Sequence, residues 1–157
     1  MSDLTLILLI AAIALNGVVV GATLDQSIKQ LPARHRIGAV AYSTYSRAGD
    51  LGNGIAWYAS VGVGALLITL AAAIAAFSQR SASPAVPFIY IASILSILHS
   101  LVTTQAAPIM FSQRRHENDE KTLETLFNRF ERWQTLRALL QVLTFGTLLW
   151  AVVVYSR

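Results

Sequence analysis

Residues 54–78 read GIAWYASVGVGALLITLAAAIAAFS and contain no charged side chain. A hydrocarbon core about 30 Å thick requires about 20 helical residues to cross it. Because lipid offers the backbone no hydrogen-bond partner, a segment of this kind crosses a membrane as a helix. Three further runs of similar length, at 4–24, 86–107 and 136–155, are almost free of charge. The sequence therefore predicts an all-α fold, a polytopic membrane four-helix bundle in which residues 1–157 form a single transmembrane domain.

The composition of the chain agrees with membrane burial. Hydrophobic residues make up 55% of the 157 residues and charged residues 13%, about half the charge of a typical soluble domain. Cysteine is absent, which excludes thiolate metal sites, iron–sulfur clusters and thiol–disulfide exchange. The predicted spans contain a single histidine and no carboxylate, a set too small for bis-histidine haem, di-iron or zinc. We therefore expect no metal and no cofactor.

The basic residues are distributed unevenly along the chain. Ten of the 12 Lys and Arg residues lie in the first and third connections or at their borders. Only Arg80 and Arg157 lie elsewhere. Basic residues near the ends of spans are retained in the cytoplasm. We predict that both connections are cytoplasmic and that both termini lie outside, in a multi-pass protein of the cell inner (plasma) membrane. This pattern accounts for the net charge of +4, so the expected partner is a lipid bilayer and no nucleic acid.

The first connection is predicted to contain an amphipathic helix at the membrane interface. Pro32 is a favourable first residue for it. Its apolar residues recur at helical spacing: Ile37, Val40, Ala41 and Tyr45. The glycines between positions 49 and 54 are expected to break this helix before the second span.

The third connection is predicted to be the start of the last helix. Asn118 can cap a helix whose first turn holds Asp119 and Glu120, the acidic bias expected at a positive helix end. No Gly or Pro follows until Gly146. A helix over residues 118–155 would be about 57 Å long, so it would project from the bilayer as a cytoplasmic helical extension.

Polar side chains inside the predicted spans lie mostly towards the cytoplasmic side. On the third span they follow one helical face: Ser93, Ser96, Ser100 and Thr103. The fourth span has a matching face: Gln134, Arg137, Gln141 and Thr144. Counted from the ends of the spans, Asn16 and His99 lie about 12 Å deep and Gln141 about 8 Å. An ionisable group in a membrane helix is costly, which favours a functional role for His99.

These residues form the candidate site. His99 and Arg137 are the candidate catalytic residues, the first as a base and the second as a stabiliser of a developing oxyanion. The candidate ligand-binding residues are Asn16, Tyr58, Thr103, Gln141 and Trp133. The alternative is that the hydroxyls bond their own backbone and that Asn16 and Gln141 only join helices. In that case Arg137 extends to the lipid headgroups and His99 is a hydrogen-bonded structural residue.

Two stretches resemble a known family. APIMFSQRR after the third span and RFERWQTLRALLQVLTFGTLLWAV near the end are similar to the C-terminal half of the anthrone-oxygenase-like family of small four-span membrane proteins. The matching positions are Pro108, Ile109, Glu131, Arg132, Trp133 and Arg137. Met110 and Gln134 depart from the residues common in the family, and the likeness covers about residues 100–155. It implies oxygenation of a polyketide anthrone to an anthraquinone without a recognised metal or flavin.

Two main classes of function remain open on the sequence, and a small transporter is a third. The first is a bundle with a polar small-molecule pocket at its cytoplasmic end, a cofactor-independent oxygenase of an aromatic or polyketide-like substrate, whose partner is a hydrophobic small molecule. The second is a non-catalytic membrane accessory or lipid-binding protein whose basic connections contact anionic headgroups. The sequence leaves open whether the chain is an enzyme, and whether it forms a homo-oligomer or binds a partner subunit.

Overall fold

The chain folds as an all-helical bundle in the computed structural model, which describes residues 3–79 and 82–155. Four long helices occupy these residues, and each is long and apolar enough to cross a membrane. Their bounds are α1, Asp3–Ile37; α2, Ala39–Ser78; α3, Val86–Arg115; and α4, Glu120–Tyr155. The predicted all-α four-helix bundle is confirmed, and the four apolar helices make the chain a multi-pass membrane protein.

Two clusters of buried side chains hold the bundle together. One lies at the end where α2 meets α3 and joins all four helices mainly through small residues that permit close approach: Leu9, Ala12, Ala72, Ala85, Ile89, Ala92, Leu148 and Ala151. The other lies at the opposite end, among the two long connections, and is built on aromatic rings: Leu31, Ala39, Tyr42, Ala106, Met110, Leu123, Phe127 and Phe130. We call this second end the basic end, because it holds the basic residues of both connections. Arg80 and Arg157, which we predict for the opposite side, lie outside the described residues.

The first connection is helical, but its geometry differs from the prediction. Gly38 separates α1 from α2 with φ +86° and ψ 155°, a conformation open almost only to glycine. The predicted amphipathic helix is the start of α2, and there the exposed residues are Ala41 and Tyr45 while Tyr42 and Ser43 are buried. Of the predicted apolar face, Ile37, Ala41 and Tyr45 are exposed, whereas Val40 is partly buried against the aromatic cluster. That this helix lies at the membrane interface stays a prediction.

The glycine-rich stretch after this helix kinks the chain and interrupts its regular helical backbone. Residues Gly49–Asn53 form a π-helical turn, and Gly52 has non-helical angles, φ −93° and ψ −117°. The Arg114 guanidinium donates a hydrogen bond to the carbonyl oxygen of Leu51 at 2.7 Å. The expected break before the second span is confirmed at Gly52, and the Arg114 side chain of a neighbouring helix supplies a hydrogen bond to the backbone beside it.

The last helix runs unbroken over 36 residues, about 54 Å, which confirms the predicted long helix. Its cap is Asp119 and not Asn118. The Thr122 hydroxyl donates to Asp119 Oδ2 at 2.6 Å and the Thr122 backbone N–H donates to Oδ1 at 3.1 Å. These two hydrogen bonds hold the pKa of the Asp119 carboxyl below its usual value, because they favour its charged form.

The two connections are tied to each other by carboxylates of α4. The Glu120 carboxylate accepts hydrogen bonds from the backbone N–H groups of Ala39, at 2.5 Å, and Val40, at 2.9 Å. It thereby caps the start of α2, where Gly38 offers no side chain to do so. Further along α4, Glu131 forms an ion pair of 2.6 Å with the buried Arg34. The basic end is therefore one packed unit.

Candidate functional site

A cavity of about 460 Å³ lies between α2 and α3 on the basic-end side of the bundle. Its two long walls are formed by residues of α2 from Ile55 to Leu66 and of α3 from His99 to Phe111. Val19 and Ala22 of α1 contribute to the remaining wall, together with Arg137 of α4. The lining is mainly apolar, with a few polar groups, as is usual for small-molecule sites. All four helices therefore contribute to one concave site.

His99 lies in this cavity wall with only 8% of its surface exposed. Its Nε2 atom is buried and has no hydrogen-bond partner among the described residues. The next turn of α3 brings Thr103 to the same wall, where its hydroxyl donates to the carbonyl oxygen of His99 at 2.9 Å. A buried polar atom without a partner is unusual and calls for an explanation.

Arg137 reaches the same cavity from α4. Its Nη1 donates to Gln134 Oε1 at 2.8 Å. Gln134 is itself held in place, because its Nε2 donates to the carbonyl oxygen of Thr23 at 3.2 Å and to Ser27 Oγ at 3.3 Å. The Nε of Arg137 is buried and, within the described part of the chain, lacks an acceptor. His99 and Arg137 therefore both line the cavity, and each has one buried nitrogen atom without a partner among the described residues.

Tyr58 and Asp50 of α2 also line the cavity. The Tyr58 ring packs edge-to-face on Trp57, with ring centroids 5.0 Å apart. The Asp50 carboxylate lies in the π-helical turn and accepts a hydrogen bond from Ser46 Oγ at 3.0 Å. Asp50 is absent from the predicted site, and the only signal for it was its place beside the glycines at the start of the second span.

The structure does not bring Asn16, Gln141 and Trp133 to this cavity. Gln141 Nε2 donates to Asn16 Oδ1 at 2.8 Å, and Asn16 Nδ2 donates to Thr69 Oγ1 at 3.0 Å. This buried network joins α1, α2 and α4, and it satisfies both amides. Trp133 packs instead against the aromatic cluster of the basic end. For Asn16 and Gln141 the helix-joining alternative describes the observed contacts.

The hydroxyls of the two polar faces mostly bond the backbone of their own helix. Ser93, Ser100 and Thr144 each donate to the carbonyl oxygen four residues earlier, at distances between 2.8 and 3.0 Å. Such bonds satisfy the hydroxyl in lipid without any ligand. Of the predicted site residues, His99, Arg137, Tyr58 and Thr103 therefore share the cavity.

A second, shallower groove lies on the outside of the basic end, between α3 and α4. It combines hydroxyl, apolar and basic side chains: Gln105, Pro108, Ile109, Ser112, Lys121, Thr122, Thr125, Leu126 and Arg129. Lys121 and Arg129 make no ion pair within the described ranges. Across those same ranges, no three His, Asp or Glu side chains come together in a way that could hold a metal ion.

No family model, curated protein or solved structure matches the chain.

Proposed function

We propose that this protein binds a hydrophobic small molecule carrying a weakly acidic group in the cavity between α2 and α3. One observation carries the proposal: His99 and Arg137 line the same cavity, and each holds a buried nitrogen atom, Nε2 and Nε, that lacks a partner among the described residues. A ligand with oxygen atoms at its polar end would satisfy both nitrogen atoms, and the apolar lining would hold its rings. Hydrogen bonds to such a ligand would offset the free-energy cost of burying these two groups.

The reaction that fits these groups is a cofactor-independent oxygenation of an aromatic, polyketide-like substrate such as an anthrone. His99 removes a proton from the activated CH₂ group, and Arg137 stabilises the enolate oxygen that forms. The carbanion adds O₂ to form a carbon–oxygen bond, and protonation gives a hydroperoxide. Loss of the second C–H proton breaks the O–O bond and releases water. The sum is CH₂ + O₂ → C=O + H₂O. The choice of an anthrone takes up the resemblance of residues 100–155 to the anthrone-oxygenase-like family, and that resemblance is itself part of the proposal.

Anthrone reconstituted with the protein in lipid vesicles provides the test. Oxygen uptake and anthraquinone formation are measured against protein-free vesicles. Replacing His99 with Gln keeps a polar group of similar reach, so binding should persist while turnover falls by about 100-fold, the usual contribution of a general base. His35→Gln, on an exposed residue outside the cavity, is the matched control and should leave turnover unchanged.

The oxygenase assignment fails if the parent protein binds anthrone without oxidising it. The proposal as a whole fails if the parent protein neither binds nor oxidises it. An unchanged turnover in His99→Gln would remove His99 from the mechanism.

We also propose that the membrane is the plasma membrane and that the basic end faces the cytoplasm, with both termini outside. The ten-to-two division of basic residues between the sides supports this orientation. Residues of the basic side make defined contacts across the connections, such as the ion pair of Arg47 with Glu117.

The second candidate function is a non-catalytic accessory or lipid-binding protein. The groove of Lys121 and Arg129 favours it, because two unpaired basic groups beside hydroxyls and apolar side chains suit an anionic headgroup. Binding of vesicles rich in anionic lipid, with no binding of anthrone and stable co-purification of another subunit, would identify this function instead.

A further inference from the structure

We infer that the ligand of the cavity enters and leaves sideways, from the bilayer, through an opening between α2 and α3. Its substrate class is then a membrane-dissolved amphiphile, with an acidic aromatic head at His99 and Arg137 and a hydrocarbon tail that extends into lipid. The inference rests on the proposed function and adds the access route and the tail.

The wall that α2 contributes is open along its length. In this fully described stretch, no residue from Gly52 to Gly64 is buried, whereas α2 is buried at several positions from Ala65 onwards. The cavity-lining residues of this stretch include Ile55, Trp57 and Val63, which are 37%, 45% and 53% exposed. Residues 55–66 cover about 16 Å along the helix axis. The opening is therefore a long slot.

The opposite rim belongs to α3. Thr104 and Phe111 line the cavity and are exposed. A hydrogen bond fixes the relative position of the two rims along the bundle axis. Ser93 Oγ of α3 donates to the carbonyl oxygen of Thr69 of α2 at 3.4 Å, so residues 93 and 69 lie at the same height. Since α2 and α3 are antiparallel, Ala59 of α2 lies at about the level of residues 103 and 104. Two exposed rims at one level define a mouth that faces outward.

The mouth opens onto the apolar outer surface of the bundle. Ile97 and Leu101 of α3, and Leu67 of α2, flank it and are more than two-fifths exposed. His99 lies about 12 Å from the end of the predicted third span, a depth at which acyl chains surround the bundle. A tail leaving the cavity here meets hydrocarbon and not water.

The slot is held at its two ends and open between them. At the basic end, Arg114 holds the carbonyl group of Leu51 beside the kink at Gly52. At the far end, Asn16 holds Thr69 of α2 at 3.0 Å. Within the described residues, no side chain from Gly54 to Gly64 donates a hydrogen bond to another helix. The wall between the two anchors can therefore be displaced without breaking a polar contact.

Bulky substitutions at the rims test the route. Ala59→Trp and Thr104→Trp narrow the mouth from either side, and Ile74→Trp and Ile94→Trp are matched controls on exposed residues of the same two helices, outside the cavity lining. Anthrone is delivered from vesicles, and its association and dissociation are followed by stopped flow. Each rim variant should slow both rates by about tenfold, because the barrier rises while the bound state is kept. The controls should match the parent protein.

A reversible block covers the case in which a rim variant folds poorly. The chain has no cysteine, so Ala59→Cys with Thr104→Cys places the only two thiols on opposite rims. A cleavable thiol crosslinker should stop exchange of anthrone, and cleavage of the linker should restore the parent rate.

The length of the tail tests the substrate class. An anthrone with an octyl chain should bind with an affinity within about threefold of anthrone itself, when both affinities refer to ligand dissolved in the bilayer. The tail stays in hydrocarbon before and after binding, so its transfer contributes almost nothing. A closed cavity would reject the longer molecule.

Each failure has its own meaning. If the parent protein does not bind anthrone, the proposed function fails first. If it binds anthrone but the rim variants and the crosslink leave both rates unchanged, the proposed function stands and the sideways route is overturned. A tenfold loss of affinity for the octyl compound would overturn the claim that the tail of the ligand extends into the bilayer. Covalent dimers of the single variant Ala59→Cys would show that a second copy covers the mouth, and this too would overturn the route.

Discussion

The hydrogen bond between Gln141 and Asn16 should stabilise the bundle and leave ligand binding unaffected. Gln141 Nε2 lies 2.8 Å from Asn16 Oδ1 and 3.4 Å from its backbone oxygen, so one contact is strong and one is near the geometric limit. Side-chain hydrogen bonds between membrane helices contribute about 0.6 kcal/mol on average and about 1.7 kcal/mol at most. For one strong and one weak contact we expect a coupling free energy of about 1 kcal/mol, which is about fivefold in the unfolding equilibrium.

A double-mutant cycle measures this coupling. Gln141→Leu and Asn16→Leu each remove one partner and leave the other amide buried without it, so each should lower the free energy of unfolding by about 1–2 kcal/mol. The double variant should lose about 1 kcal/mol less than the sum. Unfolding is followed by circular dichroism in mixed micelles at increasing mole fraction of dodecyl sulfate.

The same substitution seven residues earlier on α4 provides the contrast for function. Gln134 holds Arg137, so Gln134→Leu should weaken the binding of anthrone, whereas Gln141→Leu should not. Absence of coupling between Gln141 and Asn16, together with loss of anthrone binding in Gln141→Leu, would refute a purely structural role for this pair. Both amides would then belong to the ligand site.

Three further outcomes follow from the connections. Gly38→Ala should lower the free energy of unfolding by about 2 kcal/mol, because the backbone conformation at Gly38 is strained for any side chain. Gly21→Ala is the control, since an added Cβ there meets nothing within 4 Å. It should be neutral or slightly stabilising. The carboxyl of Asp119, followed by NMR, should titrate below its usual pKa. Because the folded pKa is lowered, the stability that this cap contributes is present above the usual pKa and is lost as the pH falls through the lowered pKa. A titration midpoint at the usual pKa would mean that the cap is not formed. Reporters active in only one compartment should place the third connection in the cytoplasm and the C-terminus outside, and cytoplasmic activity at the C-terminus would reverse the orientation.

The spans could be predicted from sequence because lipid imposes a simple rule on length and polarity. The long last helix was predictable for a similar reason, since no residue before Gly146 interrupts it. The first residue of this helix could not be predicted in the same way. Asn118 and Asp119 are both good caps, and only the position of Thr122 in space decides between them. Gly38 was missed because a single glycine does not tell whether it ends a helix or lies within one.

Four of the seven predicted site residues line the cavity, and their catalytic and ligand-binding roles stay predictions. Helical spacing assigns a residue to a face, and it brought His99, Arg137, Tyr58 and Thr103 correctly towards the bundle interior. It does not say which helix that face meets. Asn16 and Gln141 point inward as well, but they meet each other, and a satisfied pair is indistinguishable in sequence from two ligand-binding amides. The buried nitrogen atoms without partners depend on such contacts, so they were not visible in the sequence.

The cap that Glu120 provides to α2 has a consequence for the order of assembly in the cell. The N–H groups of Ala39 and Val40 are satisfied by a carboxylate 81 and 80 residues further along the chain. During synthesis, α1, α2 and α3 therefore emerge and insert while the first turn of α2 still bonds water. Only when the start of α4 leaves the ribosome does the acceptor exist. The first connection therefore completes its native hydrogen bonds only after the start of α4 has been made, although the connection itself is made early.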